Sequence, residues 1–230
     1  LIAKNATPIT RIKVANGQPH RDRLKQRKRS EFLLDWHSEE TPMAYVISNQ
    51  DLLDALYDRL AARPIIQIAG HEVTELNTGN DFAHLQFERR PDLICHLVVA
   101  CDGANSKLRD HASIRTFREL HRQTAIIANL TTEKAHENTA FQRFLPGGPI
   151  ALMPHGERRV SLVWSLPKLD ASRILALDED EFESLVLMAF GDTLGGLKLD
   201  GKRLSWPLKP TITHKMTSHN MVLAGDASHT

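Results

Sequence analysis

Two stretches of the chain place apolar residues at the spacing of an amphipathic helix. The first begins in residues 48–51 (SNQD), which favour a helix start, and Pro64 ends it. The second begins at Asp178, where Glu181 completes a D-x-x-E capping box. The apolar stripe of this second helix consists of Phe182, Leu185, Val186, Ala189 and Phe190. Such a stripe predicts a helix that packs on a sheet.

The predicted strands fall into two groups. Continuous apolar runs at residues 97–101 (LVVAC) and 221–225 (MVLAG) are typical of strands buried on both faces of a parallel sheet. Between them, short apolar segments separated by Pro/Gly turns indicate an antiparallel sheet. These segments are residues 124–130, 141–145, 150–153 and 160–166. Further strands are predicted at residues 7–15, 44–47, 65–68, 71–76 and 82–87. The order predicts an α/β fold with an α+β insertion.

Composition and charge are those of an ordinary globular protein. The 230 residues include 29 Lys+Arg, 28 Asp+Glu and 41% hydrophobic residues, which excludes a disordered chain. A net charge of +1 gives no general attraction to nucleic acid. We interpret the basic run from Arg21 to Arg29 as a solvated loop or strand edge, with contact to phosphates or an acidic partner as the alternative. The run lacks interleaved aromatic residues, so a nucleic-acid platform has no support. No apolar run approaches the ~20 residues of a membrane-spanning helix.

Several common catalytic and metal sites have no support in the sequence. It contains no G-x-S-x-G elbow, no P-loop and no G-x-G-x-x-G loop. The stretch at residues 71–75 (HEVTE) begins like a zinc-protease helix, but Glu75 stands where the second histidine is needed. We therefore predict no metal site. Cys95 and Cys101 would lie about 20 Å apart along a strand, which indicates two buried core thiols rather than a disulfide.

Each of the two continuous apolar runs leads into an acidic residue next to a glycine. Asp102 and Gly103 follow the first run, and Gly225 and Asp226 follow the second. Open α/β sheets bind ligands at the carboxyl ends of their strands. Glycine lets the backbone approach a pyrophosphate, and carboxylates accept hydrogen bonds from ribose hydroxyls. The pair predicts a site for a sugar–phosphate cofactor, with a strand–turn–helix cap as the alternative for either motif alone.

These two motifs, DGANSKLR at residues 102–109 and GDASHT at residues 225–230, resemble the paired motifs of class A flavin-dependent aromatic hydroxylases. The blocks between them are most similar to the ubiquinone-biosynthesis hydroxylase subfamily. Those blocks are RFLP at 143–146, ALMP at 151–154, SLVWS at 161–165 and WPL at 206–208. The resemblance extends from residue 40 to residue 230.

The resemblance implies a partial FAD-binding Rossmann-like domain and an antiparallel-sheet substrate domain. Residues 48–118 and 211–230 would belong to the FAD-binding domain. Residues 119–210 would form the substrate domain, to which residues 1–47 add strands and the basic loop. The family's opening glycine-rich strand and the segment after its second motif are missing, so we expect a chain truncated at both ends.

The resemblance also assigns residues to the cofactor FAD. Asp226 would hydrogen-bond the ribose or ribityl part, with Gly225 allowing the close approach. Asp102 and Gly103 would lie near the pyrophosphate and help the nicotinamide donor to dock.

Further roles follow from the same resemblance. Ser106 and Arg109 would hold the first turn, with Arg109 making a charge-assisted contact. Asn49 would place an amide group near the flavin. The antiparallel sheet would cover the substrate, and the candidates for its pocket are Leu152, Pro154, Trp164 and Trp206. Core packing is the alternative role for these four residues.

The implied activity is hydroxylation of a prenylated phenol in ubiquinone biosynthesis with FAD, NAD(P)H and O2. Because the cofactor carries the difficult step, we assign no catalytic residue. The implied partners are a polyprenyl phenol and a ubiquinone-biosynthesis protein complex. The implied location is the cytoplasm, with peripheral association at the inner membrane. The alternatives are a soluble aromatic-ring hydroxylase of another pathway and a non-catalytic scaffold module.

Overall fold

The computed structural model describes residues 5–17, 32–68, 70–79, 81–118 and 123–230. The basic run from Arg21 to Arg29 lies outside the described residues. The fold is mixed α/β with far more strands than helices, which confirms the predicted class. The chain divides into two compact units, one of Leu1–Pro64 with Arg122–Leu208 and the other of Ile65–His121 with Lys209–Thr230.

We number the elements in chain order. The strands are β1 Thr7–Ile9, β2 Arg11–Asn16, β3 Leu34–His37, β4 Ala44–Val46, β5 Val73–Thr78, β6 Ala83–Phe87, β7 Leu93–Cys95, β8 Val98–Ala100, β9 Thr116–Arg118, β10 Gln123–Thr132, β11 Thr139–Leu145, β12 Gly148–Pro154, β13 Arg159–Pro167, β14 Leu197–Leu199, β15 Leu204–Leu208, β16 Thr211–Thr213, β17 Thr217–Ser218 and β18 Met221–Leu223. The helices are α1 Asn49–Ala61, α2 Lys107–His111, α3 Lys168–Leu175 and α4 Glu179–Phe190, and Gly225–Ala227 forms a 3-10 turn.

The first unit is built on an eight-stranded sheet. Its order is β14-β10-β13-β12-β11-β2-β3, and β15 also pairs with β10. All pairs are antiparallel except β2 with β11. This confirms the antiparallel sheet predicted from the short segments after residue 123. Strands β1 and β4 form a separate antiparallel pair in the same unit.

Helix α4 supplies the core that covers one face of this sheet. Asp178 accepts from the N–H of Glu181 at 2.8 Å, and Glu181 accepts from the N–H of Asp178 at 3.3 Å, so the predicted capping box is present. Four residues of the predicted stripe are buried, and the fifth, Leu185, packs on the same core at partial burial. The four are Phe182, Val186, Ala189 and Phe190.

Glu183 joins α4 to the edge strand β14. Its carboxylate accepts from Lys198 Nζ at 2.6 Å and from the N–H of Leu199 at 2.7 Å. Burial raises the pKa of Glu183, but the hydrogen bonds from Lys198 and Leu199 outweigh burial, so the pKa lies below its ordinary value.

The second unit contains both continuous apolar runs. Strands β8 and β18 are parallel neighbours in a three-stranded sheet with β17, which confirms the prediction that both runs are strands of parallel type. Strands β5, β6 and β7 form an antiparallel sheet, and β9 pairs with β16. The sheet of β5 to β7 and the sheet of β8, β17 and β18 contribute to one core, which includes Leu76, Leu85, Ala100, Met221 and Leu223.

Three local predictions are wrong. Residues 65–68 form no strand, since the run pairs with no other strand among the described residues, and Ile66 is 89% exposed. Strand β8 is not buried on both faces, because only one of its faces packs on the core and Val99 is 54% exposed. Cys95 is half-buried and Cys101 is exposed, so they are free thiols but not buried ones.

The compact units differ from the predicted domains mainly at α1. Residues 48–64, which include α1, group with the large sheet. The assignment of ranges to an FAD-binding and a substrate domain remains a prediction. Within the described residues, no helix has both the length and the apolar character to cross a membrane, and no three His, Cys, Asp or Glu side chains are grouped as metal ligands.

Candidate functional site

The turns that follow β8 and β18 carry Asp102 and Asp226, and we call them the first and the second acidic turn. They lie side by side in the second unit. Val98 to Ala100 pair in parallel register with Met221 to Leu223, so both strands end at the same edge of the sheet. The N–H of Ala224 donates to the carbonyl oxygen of Ala100 at 2.9 Å, which extends the pairing to the start of both turns. The structure therefore brings together the two motifs that sequence reasoning paired.

The first turn leads into the short helix α2. The exposed carboxylate of Asp102 accepts from the N–H of Leu108 at 3.2 Å. Gly103 has φ +86°, a conformation that favours glycine. Ser106 is fully buried and accepts from the N–H of Arg109 at 3.0 Å, which caps the helix. The residues predicted to hold this turn do so, while their contact with a cofactor remains a prediction.

Arg109 joins the first turn to the second. Its side chain is 1% exposed. Nη1 donates to the carbonyl oxygen of Ala227 and Nη2 to that of Ala104, each at 3.1 Å. Nε has no hydrogen-bond partner among the described residues, although a carboxylate oxygen of Asp110 lies 3.7 Å away. One guanidinium thus joins the backbones of the two turns, and Ala227 lies 118 positions from Arg109 in sequence.

The second turn exposes a carboxylate on a glycine-based backbone. Gly225 has φ +58° and begins the 3-10 turn. Asp226 is exposed, and no described residue hydrogen-bonds its carboxylate. A Cβ built at Gly103 or Gly225 would meet no atom within 4 Å. Both turns therefore leave room for a ligand beside the backbone and offer carboxylate oxygens that accept hydrogen bonds from hydroxyl groups.

Asn49 belongs to the other compact unit. It is the first residue of α1 and is exposed. Ser48 caps that helix by accepting from the N–H of Asp51 at 3.0 Å. The predicted proximity of Asn49 to the flavin remains a prediction.

The sheet does not bring the four pocket candidates to one face. Leu152, Pro154 and Trp164 are buried on the face that α4 covers, where Trp164 pairs with Ile150. Trp206 pairs with Ala125 on the opposite face and is 67% exposed. Leu152 and Trp164 are therefore core residues, as the alternative interpretation held, and a pocket wall made of all four is not formed.

We call the opposite side of the large sheet the open face. It carries the alternate residues of β10 to β13 and of β15, and only Arg159, at one end, is ionisable among these. Small residues are frequent at its centre, beside Gln142 and Met153, and large apolar residues stand on both sides. The small residues are Ala125, Ala140, Ala151, Ser161, Val163 and Ser165, and the large ones are Phe144, Ile127, Leu204 and Trp206. We did not predict this face from the sequence. The alternation of large apolar and smaller residues along β13 indicates it, because successive side chains of a strand point to opposite faces of the sheet.

The chain is similar to known flavoproteins in sequence. The sequence pattern of the FAD binding domain family matches residues 2–230. Ubiquinone hydroxylase UbiL from Rhodospirillum rubrum is 30% identical over 232 residues, which cover 100% of this chain and 52% of UbiL. Ubiquinone biosynthesis monooxygenase COQ6 from Drosophila melanogaster is 32% identical over 155 residues, which cover 64% of this chain and 32% of COQ6. The chain thus spans about half the length of UbiL and about a third of COQ6.

Among solved structures, pqsL, described as a probable FAD-dependent monooxygenase from Pseudomonas aeruginosa, matches with a TM-score of 0.76 at 14% identity. The match covers 98% of this chain and 62% of pqsL. At this identity the likeness shows the fold alone.

Proposed function

This chain belongs to the FAD binding domain family, and on that basis we propose that it forms part of a flavin-dependent monooxygenase that hydroxylates a prenylated phenol. The observation that carries the proposal is the joining of the two acidic turns by Arg109. The relatives are a ubiquinone hydroxylase and a ubiquinone biosynthesis monooxygenase, which supports a precursor of ubiquinone as the substrate.

The residues of the two turns fit FAD. The open space beside Gly103 and Gly225 accommodates a ligand close to the backbone, and the exposed carboxylates of Asp102 and Asp226 accept from sugar hydroxyls. Asn49 is proposed as an additional amide contact. When bound, FAD supplies the redox chemistry, in which NAD(P)H provides electrons and O2 provides the oxygen atom.

The protein's own residues hold the cofactor site and offer a surface to the substrate. Arg109 keeps the two turns at a constant spacing and Ser106 caps the helix that carries Arg109, so the cofactor meets a preorganised surface. We place the substrate on the open face of the sheet rather than on the face packed against α4. Its small central residues leave room for an aromatic ring, and Trp206 and Phe144 offer apolar surface to a prenyl tail.

Location and partners belong to the same proposal. A polyprenyl phenol partitions into a membrane, so a cytoplasmic enzyme would meet it by peripheral association at the inner membrane. Membership of a ubiquinone-biosynthesis complex rests on the names of the relatives. Co-sedimentation of the protein with vesicles of anionic phospholipid that contain a polyprenyl phenol tests the association.

The first experiment is a titration of FAD into the 230-residue chain and into the full-length gene product, followed by quenching of flavin fluorescence. Asp226→Ala removes a proposed acceptor, and Asp81→Ala is the matched control because Asp81 is an exposed aspartate outside both turns. We expect the first variant to weaken FAD binding at least tenfold and the control to leave it unchanged. A full-length product that binds no FAD would overturn the proposal and favour the scaffold function.

Substrate turnover tests the second half of the proposal. The FAD-loaded full-length product is incubated with a prenylated phenol, O2 and either NADH or NADPH, and mass spectrometry detects the addition of one oxygen atom. Binding of FAD without hydroxylation of any prenylated phenol would leave the flavoprotein assignment intact but refute the proposed substrate.

A further inference from the structure

The hydroxyl group of Ser228 lies between two neighbours at the second acidic turn. Ser228 is 2% exposed. Its Oγ lies 2.8 Å from the carbonyl oxygen of Gly225 and 2.7 Å from Nδ1 of His229. The backbone places these groups together, because the N–H groups of Ser228 and His229 both donate to the same Gly225 carbonyl at 2.9 and 3.2 Å.

The number of available protons decides the direction of both hydrogen bonds. A carbonyl oxygen can only accept, so the contact at 2.8 Å requires the single hydroxyl proton of Ser228 to point at Gly225. The contact with His229 then needs its own proton, which only Nδ1–H can supply. The opposite arrangement, with the hydroxyl proton pointing at Nδ1, would place the lone pairs of two oxygen atoms against each other at 2.8 Å, and such a contact is repulsive.

This assignment determines the chemistry of the other ring nitrogen. In a neutral imidazole one nitrogen carries the proton and the other accepts. With Nδ1 protonated, Nε2 of His229 is a hydrogen-bond acceptor. His229 is exposed, and no described residue hydrogen-bonds its Nε2. His229 follows Asp226 by three positions, so the turn presents two kinds of acceptor to solvent.

We infer that His229 is a further ligand-contacting residue and that Ser228 is the positioning residue that keeps its Nε2 an acceptor. Two acceptors recognise donors, so this turn fits the hydroxyl groups of the sugar chain of FAD rather than its pyrophosphate. The hydroxyls come from the ribityl chain or from the ribose. The inference rests on the proposed binding of FAD for its ligand, but not for the tautomer.

The tautomer is measured on the 230-residue chain without any ligand. Nitrogen-15 NMR of labelled histidine distinguishes a protonated ring nitrogen from an unprotonated one, and His229→Gln identifies the signals of His229. We expect Nδ1 protonated and Nε2 unprotonated at pH 7.5. In Ser228→Ala the preference should be lost, whereas Ser218→Ala, at another serine of the same unit, should leave the His229 signals unchanged. A wild-type His229 with Nε2 protonated overturns the inference.

The ligand contact is measured by adding FAD to the same labelled protein, as the 230-residue chain or the full-length product. We expect the Nε2 signal to shift as FAD saturates, and Ser228→Ala to weaken FAD binding about threefold to tenfold, the scale of one hydrogen bond. Riboflavin, which carries only the ribityl chain, and ADP, which carries only the ribose, identify the hydroxyl source. Saturation with FAD that leaves Nε2 unmoved refutes the contact. A protein that binds no FAD refutes the proposed function, and with it the contact, while the ligand-free tautomer stands on its own measurement.

Discussion

The guanidinium of Arg109 offers the sharpest test of how the candidate site is held together. Arg109→Met keeps a long apolar stem in a 1% exposed position but removes both donors. The carbonyl of Ala227 then loses its partner in a residue with no exposed surface. The carbonyl of Ala104 belongs to an exposed residue, so water replaces the lost donor there. The two hydrogen bonds are equal in length but unequal in consequence.

The expected magnitude follows from that difference. A buried acceptor left unsatisfied costs about 1–3 kcal/mol, and a hydrogen bond from a charged donor contributes about 1.5–3 kcal/mol net. The Nε of Arg109 makes no hydrogen bond, and its neighbour Asp110 is 73% exposed, so that ion pair contributes at most about 1 kcal/mol. We expect Arg109→Met to lower the free energy of unfolding of the second unit by about 2–4 kcal/mol.

Hydrogen exchange is the appropriate assay, because a chain with two compact units need not unfold in one step. The amide of Ala224, bonded to Ala100 at the base of the site, reports on the second unit alone. Arg89→Met is the control, since Arg89 is 82% exposed and its loss should change stability by less than about 0.5 kcal/mol. A loss of protection at Ala224 in Arg109→Met below about 1 kcal/mol would refute the reasoning that this side chain holds the turns together.

Three further predictions concern other parts of the fold. Glu183→Gln should make the stability of the protein less sensitive to acid. Because the pKa of Glu183 in the folded state lies below its ordinary value, its contacts with Lys198 and Leu199 stabilise the fold fully above about pH 4.3, and this stabilisation is lost as the pH falls through the folded pKa. Urea unfolding of both proteins at pH 7 and pH 3.5 measures the difference. Gly225→Ala should cost about 1–2 kcal/mol by thermal unfolding, because φ is +58° and no atom contacts the new Cβ. Trp206→Ala should change unfolding by less than about 0.5 kcal/mol while raising KM for long-tailed phenols more than for short ones.

Each of these predictions has a control. Gly147→Ala tests an alanine at a glycine without positive φ and should cost less than Gly225→Ala. Leu169→Ala removes an apolar side chain that is 73% exposed on α3, away from the open face, and should leave KM for every tail length unchanged. Equal loss of acid sensitivity in Glu179→Gln, at an exposed carboxylate, would contradict the role given to Glu183.

The pairing of the two acidic turns could be predicted from the sequence because parallel strands end at the same edge of a sheet. Runs of apolar residues identified β8 and β18, and their carboxyl ends carried the acids. The capping box at Asp178 was equally predictable, since it depends on residues three positions apart. The contact of Arg109 with Ala227 could not be predicted in this way, because nothing local to either residue specifies the other.

The pocket candidates show why residue type alone is a poor guide to a binding surface. Along β13, Val160, Leu162, Trp164 and Leu166 alternate with Ser161, Val163 and Ser165. Large apolar side chains are needed to fill the space between a sheet and a helix, so they belong to the core face. A face that receives a ligand must leave room for it, so it carries the smaller side chains. The indole of Trp164 therefore marks the core side of the sheet, and its small neighbours mark the side where the proposed substrate binds.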